Sequence, residues 1–283
     1  MRKIHWHKEG EAKLVPHESG EILYFTSPLL DQLDWLKHGI STRLGGVSEG
    51  GAASLNFKSN EFDTAENVAE NYERFCCAVG IEPDSVIATK QVHEHTLEVV
   101  GPDTRREGVG SDFTPAECDG LVCNTPGKSL FGYSADCPLV LLADNKNHAI
   151  GICHSGWRGT VQEISRHTVE EMGRQYNTRP EDIFAFVAPS ICQDCFEVGE
   201  EVVDKIKKTI PESSFDKPFY QKPNGKFQLD LWGVIRTQLL ELGIPPAQIQ
   251  LPYLCTMCNP ELFYSHRIQG FNRGTSIAFA QIK

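Results

Sequence analysis

The chain has no apolar run near the ~18–20 residues that a helix needs to span a bilayer. Its first fifteen residues, MRKIHWHKEGEAKLV, carry basic residues with no apolar segment behind them. No signal peptide is read there, so the expected compartment is the cytoplasm. Positive charge is in short supply: 27 Lys and Arg stand against 38 Asp and Glu, a formal net charge of −11. That balance argues against a nucleic acid polymer as partner, because such binding needs a basic surface. It does not exclude a small anion, which one local arginine can hold. No repeat, low-complexity linker or shift in composition marks a boundary, so residues 1–283 are read as one domain. The oligomeric state is not legible.

Cysteine, by contrast, is plentiful, with ten in the chain. In a cytosolic protein of this size they are thiols or ligands rather than disulfides. Cys192/Cys195 and Cys255/Cys258 form two CxxC pairs. Paired CxxC motifs can close a structural zinc site. Here their first cysteines lie 63 residues apart (255 minus 192), far wider than a zinc ribbon, which favours separate thiols.

The stretch Ser134–Gly159, SADCPLVLLADNKNHAIGICHSGWRG, organises the reading. Two apolar runs, 138–143 and 149–153, flank Asp144-Asn145-Lys146-Asn147, the pattern of a β-hairpin. A turn centred between Asn145 and Lys146 sets Leu141 opposite Ile150, Leu139 opposite Ile152 and Cys137 opposite His154. All six share one face, since strand side chains alternate. Opposed β-carbons lie about 4.5–5.5 Å apart, close enough for two ligands of one metal.

Elsewhere, Glu21–Thr26 reads as a strand, 29–36 as a short helix, and Ser41–Ser48 (STRLGGVS) as a Gly-rich loop. That loop is either a plain turn or an anion nest in which Arg43 holds phosphate. Asp63 and Glu66 suggest a capping box for a core helix that Gly80 stops. Lys90–Val100 reads as a strand with His93 and His95 on one face. Residues 101–115 read as a loop over the site. Asp119-Gly120 is either a plain turn, or it places Asp119 to meet substrate or to stand behind a histidine and orient it. His154-Ser155-Gly156-Trp157-Arg158-Gly159 leads into a helix with a Thr160/Glu163 capping box, ending near Tyr176. Strand, glycine loop, helix start and Arg158 suit an anion, without the Gly-Lys-Ser/Thr of a nucleotide-binding loop. Ile183–Val187 reads as a strand, Gly199–Ile210 and Leu229–Leu242 as helices, 211–226 as a surface loop and Ser276–Ile282 as a last strand. Helices and strands mix without strict alternation, which points to α+β.

His93, Cys137 and His154 form a mixed N/N/S set that suits catalytic zinc, with the fourth position left to water. Cys137 opposite His154 equally suits a metal-free cysteine hydrolase. A buried, chemically silent Cys137 is the plain alternative, and a thiol-based binding or redox module is a non-enzymatic one. His93 discriminates between the first two, because a metal needs it and a dyad does not.

The segments TRLGGVS, KQVH, ECDGLV, GYSADCPLVLLAD, IGICHSGWRGT, APSICQDCFEVGEEV and CTMCNPELFYSHR resemble the YfiH/YlmD family, also called the laccase-domain or polyphenol oxidase family. The likeness runs from about Gly39 to Arg273. It implies a layered α/β/β/α sandwich with mixed sheets. It also implies zinc held by His93, Cys137 and His154; Arg43, Arg158 and Asp119 are placed toward substrate and phosphate on the reading of the residues alone. The implied activities are phosphorolysis of adenosine, inosine, guanosine and methylthioadenosine, and deamination of adenosine. Hydrolytic editing of a cell-wall precursor is a further activity linked to the family. The oxidase description fits less well, since multicopper oxidases carry repeated His-X-His pairs and only His93/His95 is read in that form here. The usual F-x-S-x-R-R ending is replaced here by Phe263-Tyr264-Ser265-His266-Arg267-Ile268. The usual Gly-Pro is Ala188-Pro189, and a tyrosine is replaced by Phe196.

Overall fold

The computed structural model describes residues 4–7, 13–58, 63–104, 116–215 and 218–283. Its strands, in chain order, are β1 (Val15–Ser19), β2 (Ile22–Thr26), β3 (Leu36–Ser41), β4 (Val86–Ala88), β5 (Leu97–Val100), β6 (Gly120–Cys123), β7 (Ser129–Ser134) and β8 (Leu139–Asp144). They continue with β9 (Ala149–His154), β10 (Ile183–Val187), β11 (Glu197–Val198), β12 (Phe219–Gln221), β13 (Phe227–Leu229), β14 (Ile249–Gln250) and β15 (Ser276–Ile282). One six-stranded sheet runs β1-β2-β3-β15-β7-β4 and a second runs β14-β10-β8-β9-β6-β5. Each is mixed: β4 is parallel to β7, β5 to β6 and β10 to β14, and the other pairings in these two sheets are antiparallel. A small β11-β13-β12 sheet stands apart.

Alternation along the strands builds the layers. Leu23, Phe25, Ile40 and Leu130 of the first sheet meet Leu121, Leu139, Leu141, Ile150 and Ile152 of the second in one buried core. The outward face of the first sheet, with Phe131, Ile277 and Phe279, packs on α1 (Ala65–Val79) through Val68, Tyr72 and Phe75. The outward face of the second, with Val122, Val140 and Leu142, is covered by two helices. In chain order the next helices are α2 (Trp157–Val161), α3 (Ile164–Tyr176), α4 (Glu200–Ile206) and α5 (Leu231–Glu241). The covering side chains are Ile164, Val169 and Met172 of α3 and Trp232, Ile235 and Leu239 of α5. Helix, sheet, sheet and helix are thus stacked as expected.

The central hairpin forms, but two residues out of the expected register. Asp144 Oδ1 accepts from the backbone N–H groups of Lys146 (2.8 Å) and Asn147 (3.0 Å). This Asx turn keeps Asp144 in the strand opposite Ala149 and centres the loop one residue later. Leu139 therefore faces His154 and Leu141 faces Ile152, instead of Leu139 facing Ile152. An even shift keeps every side chain on its face. Cys137 does not pair with His154 across the ladder; it lies just before β8, after Asp136 at φ 87°.

Other differences are local. Thr64, not Asp63, caps α1, accepting from Asn67 N–H at 3.2 Å. The Asp63 carboxylate instead takes the Ser48 hydroxyl and the side-chain amides of Asn56 and Asn67. The Thr160/Glu163 capping box is absent: Thr160 donates to Ser155 O (2.8 Å), and Glu163, at φ 52°, is the break between α2 and α3. Residues 90–96 are not strand, and β5 covers only Leu97–Val100. A 3-10 turn, Leu30–Gln32, replaces the short helix at 29–36. Part of the expected loop at 211–226 pairs as the β12–β13 hairpin. Of the loop expected over the site, 105–115 lies outside the described residues. No helix among the described residues is long and apolar enough to cross a membrane.

His38, buried in β3, accepts from the Ser27 N–H at 2.9 Å. Burial, only partly opposed by Asp31, brings its pKa down from 6.5 to about 4. The neutral form is the native one, so its stabilisation is complete above the unfolded value and declines as pH falls from 6.5 toward 4. Between pH 7 and pH 5 this linkage amounts to about 2 kcal/mol. Urea unfolding at both pH values should show that loss in the native chain and a smaller one in His38→Gln. Equal losses in the two proteins would contradict this assignment.

Candidate active site

His154 ends β9 and is only 5 % exposed. Its Nδ1 lies 2.9 Å from Oδ1 of Asp119, which is 1 % exposed. That contact assigns a proton to Nδ1 and leaves Nε2 on the side of the Cys137 sulfur. Burial opposes charge on this imidazole, but the Cys137 sulfur and the Asp119 carboxylate outweigh it and raise the pKa to about 9. Burial likewise opposes ionisation of Asp119, yet His154 and the backbone donors hold its pKa below the ordinary carboxylate value.

The same carboxylate accepts from the N–H groups of Val92 (2.9 Å), His93 (3.1 Å) and Glu94 (3.0 Å). Three donors on one anion hold a turn in which His93 takes φ 65°, a left-handed conformation uncommon outside glycine and better tolerated by histidine than by most residues. Its ring stands edge-on to that of His154, with centroids 5.0 Å apart. Partial burial and then the neighbouring His154 lower the His93 pKa. Gly156 closes the third side. A Cβ there would sit 3.0 Å from Cys137 Sγ and 3.4 Å from His154 Nε2, so the sulfur and nitrogen share the space that glycine leaves open.

His93, Cys137 and His154 are thus brought together, from a carboxylate-held turn, a strand entry and a strand end. Two imidazoles and one thiol are a donor set that fits zinc, and the Asp119–His154 contact is the outer-shell support typical of such sites. His95 leaves the site: its Nδ1 lies 2.8 Å from Gln162 Oε1 and its ring packs against His167. Asp119 does not line either pocket lobe: it is buried, and its oxygens are engaged by backbone and imidazole. Arg43 is also corrected. Its guanidinium donates to Ala53 O (2.6 and 2.8 Å) and Pro260 O (3.0 Å), and lies over the Tyr264 ring at 4.6 Å. The glycine loop beside it serves packing: a Cβ on Gly46 would lie 2.2 Å from Ser54 O.

Two adjoining lobes of about 510 Å³ each open over the trio, sharing His93, Cys137, Phe271 and Arg273. One adds Lys58, Gln91, Tyr133 and His154. The other adds Trp157, Arg158, Phe196, Leu231 and Arg267. Arg158 lies over the Trp157 ring at 4.3 Å. Shielding from solvent, and then the charges of Arg273 and Lys90, lower the Lys58 pKa. Lys58, Arg273 and Arg267 were not anticipated, nor was Phe271, which is 82 % exposed on the rim of both lobes. Arg273 stands in Asn272-Arg273-Gly274, where the resembled family has Gly-Arg, and sequence reading assigns it no role.

The trio is not the cluster whose ligand atoms all lie within 4.8 Å of one another. Among the described residues, His7, Cys192, Cys255 and Cys258 each bring a ligand atom within 4.8 Å of the others. The CxxC pairs expected to stand apart are therefore adjacent in space. His5-Trp6-His7 is a second His-X-His pair, and it was the signal that sequence reasoning missed.

A family model described as multi-copper polyphenol oxidoreductase laccase matches residues 37–283. A purine nucleoside phosphorylase of Bacteroides thetaiotaomicron is 34 % identical over 249 residues, covering 84 % of this chain and 88 % of that protein. Adenosine deaminase RL5, from an unknown prokaryotic organism, is 33 % identical over 255 residues, covering 87 % of this chain and 95 % of that protein. The crystal structure of YlmD from Geobacillus stearothermophilus superposes with a TM-score of 0.88 at 29 % identity, over 94 % of this chain and 98 % of that one.

Proposed function

The chain belongs to the multi-copper polyphenol oxidoreductase laccase family, and from that membership and the cation-rimmed pocket we propose that it is a zinc-dependent purine nucleoside phosphorylase that also deaminates adenosine. The observation that carries the reading is the His154–Asp119 contact at 2.9 Å, which turns Nε2 toward the space shared with Cys137 and His93. Zinc bound by His93, Cys137 and His154 would supply a Lewis acid with an open position. The protein's own residues do the rest. Asp119 fixes the His154 tautomer and the His93 turn. Lys58, Arg158 and Arg273 offer positive charge to phosphate, a local field that the overall −11 does not cancel. Phe196, Trp157, Leu231 and Phe271 give a purine ring apolar and aromatic surface. Adenosine, inosine, guanosine and methylthioadenosine are the substrates proposed. Copper also accepts two imidazoles and a thiolate, so metal analysis is part of the test.

Incubation of the purified chain with adenosine, with and without phosphate and a chelator, tests the reading. Adenine and ribose 1-phosphate should form only with phosphate, inosine without it, and all three should vanish on chelation and return with zinc. No turnover under any condition would contradict it. Arg273→Ala should raise the KM for phosphate about 10- to 100-fold, the worth of one charge-assisted contact, with a smaller effect on deamination. Equal effects on both would remove Arg273 from the phosphate site.

A second reading rests on the same contact. Cys137, His154 and Asp119 also form a thiol–imidazole–carboxylate series suited to hydrolysis of an amide in a cell-wall precursor. Amide hydrolysis that survives chelation would favour it.

A further inference from the structure

The two CxxC motifs run side by side because the backbone brings them there. After β10, Ser190 bridges Cys255, and Thr256 N–H donates to Ser190 O at 3.2 Å. Cys192 N–H donates to the Cys255 sulfur at 3.3 Å, and the sulfurs of Cys195 and Cys258 lie 3.5 Å apart. A third segment joins them. Trp6 bridges Leu254 and His7 N–H donates to Tyr253 O at 2.9 Å. Asn259 pins His5 from both sides, accepting its N–H at 2.8 Å and donating to its carbonyl at 3.1 Å. Three remote pieces of chain thus converge, and each delivers soft ligand atoms.

Plain packing accounts poorly for the cluster. Buried thiols can act as small apolar groups, and Cys192 and Cys255 are 3 % and 0 % exposed. The His7 Nε2, however, is sealed from water with no hydrogen-bond partner, and an unsatisfied buried nitrogen costs about 1–3 kcal/mol. Three thiols and one imidazole, with all ligand atoms within 4.8 Å of one another, are the donor set of a closed, four-coordinate zinc site. None of the four lines the cleft described above.

We propose that His7, Cys192, Cys255 and Cys258 form a second, structural zinc site that clamps the N-terminal segment onto the two CxxC loops. Binding displaces the thiol protons to solvent and forms three zinc–sulfur bonds and one zinc–nitrogen bond. Cys195 is the neighbouring thiol outside the set. The clamp lies behind the pocket wall, since Ile191 and Phe196 of the first loop line the cleft. Thr256 of the second donates to Asp136 Oδ1 at 2.6 Å.

Metal content of the full chain tests this independently of catalysis. Cys137→Ala, which cannot hold the pocket ion, should still carry one zinc per chain. Adding Cys258→Ser or His7→Ala should remove that equivalent and lower the melting temperature, whereas adding Cys195→Ser should not. A Cys137→Ala protein without zinc, or one that keeps it after Cys258→Ser, would overturn the proposal. Should the double variants not fold, native thiol counting on Cys137→Ala decides. A strong chelator should release zinc and expose three more reactive thiols. Iron in place of zinc, or a disulfide among these cysteines in the reduced preparation, would equally overturn it.

Discussion

Cys137→Ser should abolish phosphorolysis and deamination together, by roughly 10³-fold or more. The sulfur shares the space opened at Gly156 with His154 Nε2, and serine offers a hydroxyl that stays protonated where thiolate binds soft metal. Losing a Lewis acid forfeits several kcal/mol of transition-state stabilisation, and each ~1.4 kcal/mol is tenfold in rate. The fold should tolerate the change, because Cys137 is half-buried at the cleft and outside the packed clusters. The pocket zinc should be lost from the variant while its circular dichroism stays native. An inactive variant that retains the pocket zinc would instead assign Cys137 as a nucleophile.

Asp119→Ala should damage both activity and stability. One buried carboxylate serves three N–H donors and the His154 ring. Alanine leaves all four without an acceptor. Unsatisfied buried donors cost about 1–3 kcal/mol each before relaxation, so a net loss of roughly 3–5 kcal/mol is expected. Loss of outer-shell support typically costs about 10–100-fold in metal affinity or activity. Here the effect should reach the upper end, because the same carboxylate also holds the φ 65° turn that presents His93. Asp119→Asn keeps an acceptor and should fall between. The lowered pKa of the carboxylate means this stabilisation is present above the ordinary value near 3.8 and lost as pH falls through the folded value. Chemical denaturation with steady-state kinetics on the same preparations checks both. A stable, fully active Asp119→Ala would contradict the account.

Much of this was legible before the fold. The face shared by Leu139, Leu141, Ile150, Ile152 and His154 follows from period-two alternation, and a slip of two residues cannot disturb it. The slip itself came from Asp144, whose turn chemistry moved the loop centre by one position. His93 was reached by a wrong route, since it sits in a carboxylate-held turn and not on a strand face. Arg43 was misread because local sequence does not reveal that Ala53 and Pro260 carbonyls take its donors. The positive lining from Arg273 and Lys58, and the convergence of His7 with both CxxC pairs, depend on contacts across most of the chain. Sequence separation says nothing about such distances.

Anomalous diffraction at the zinc edge, from crystals of the chain as purified, bears most directly on the pocket. A peak bonded to the Cys137 sulfur and to ring nitrogens of His93 and His154 is expected. A pocket without any metal peak, in protein that still turns over adenosine, would contradict it.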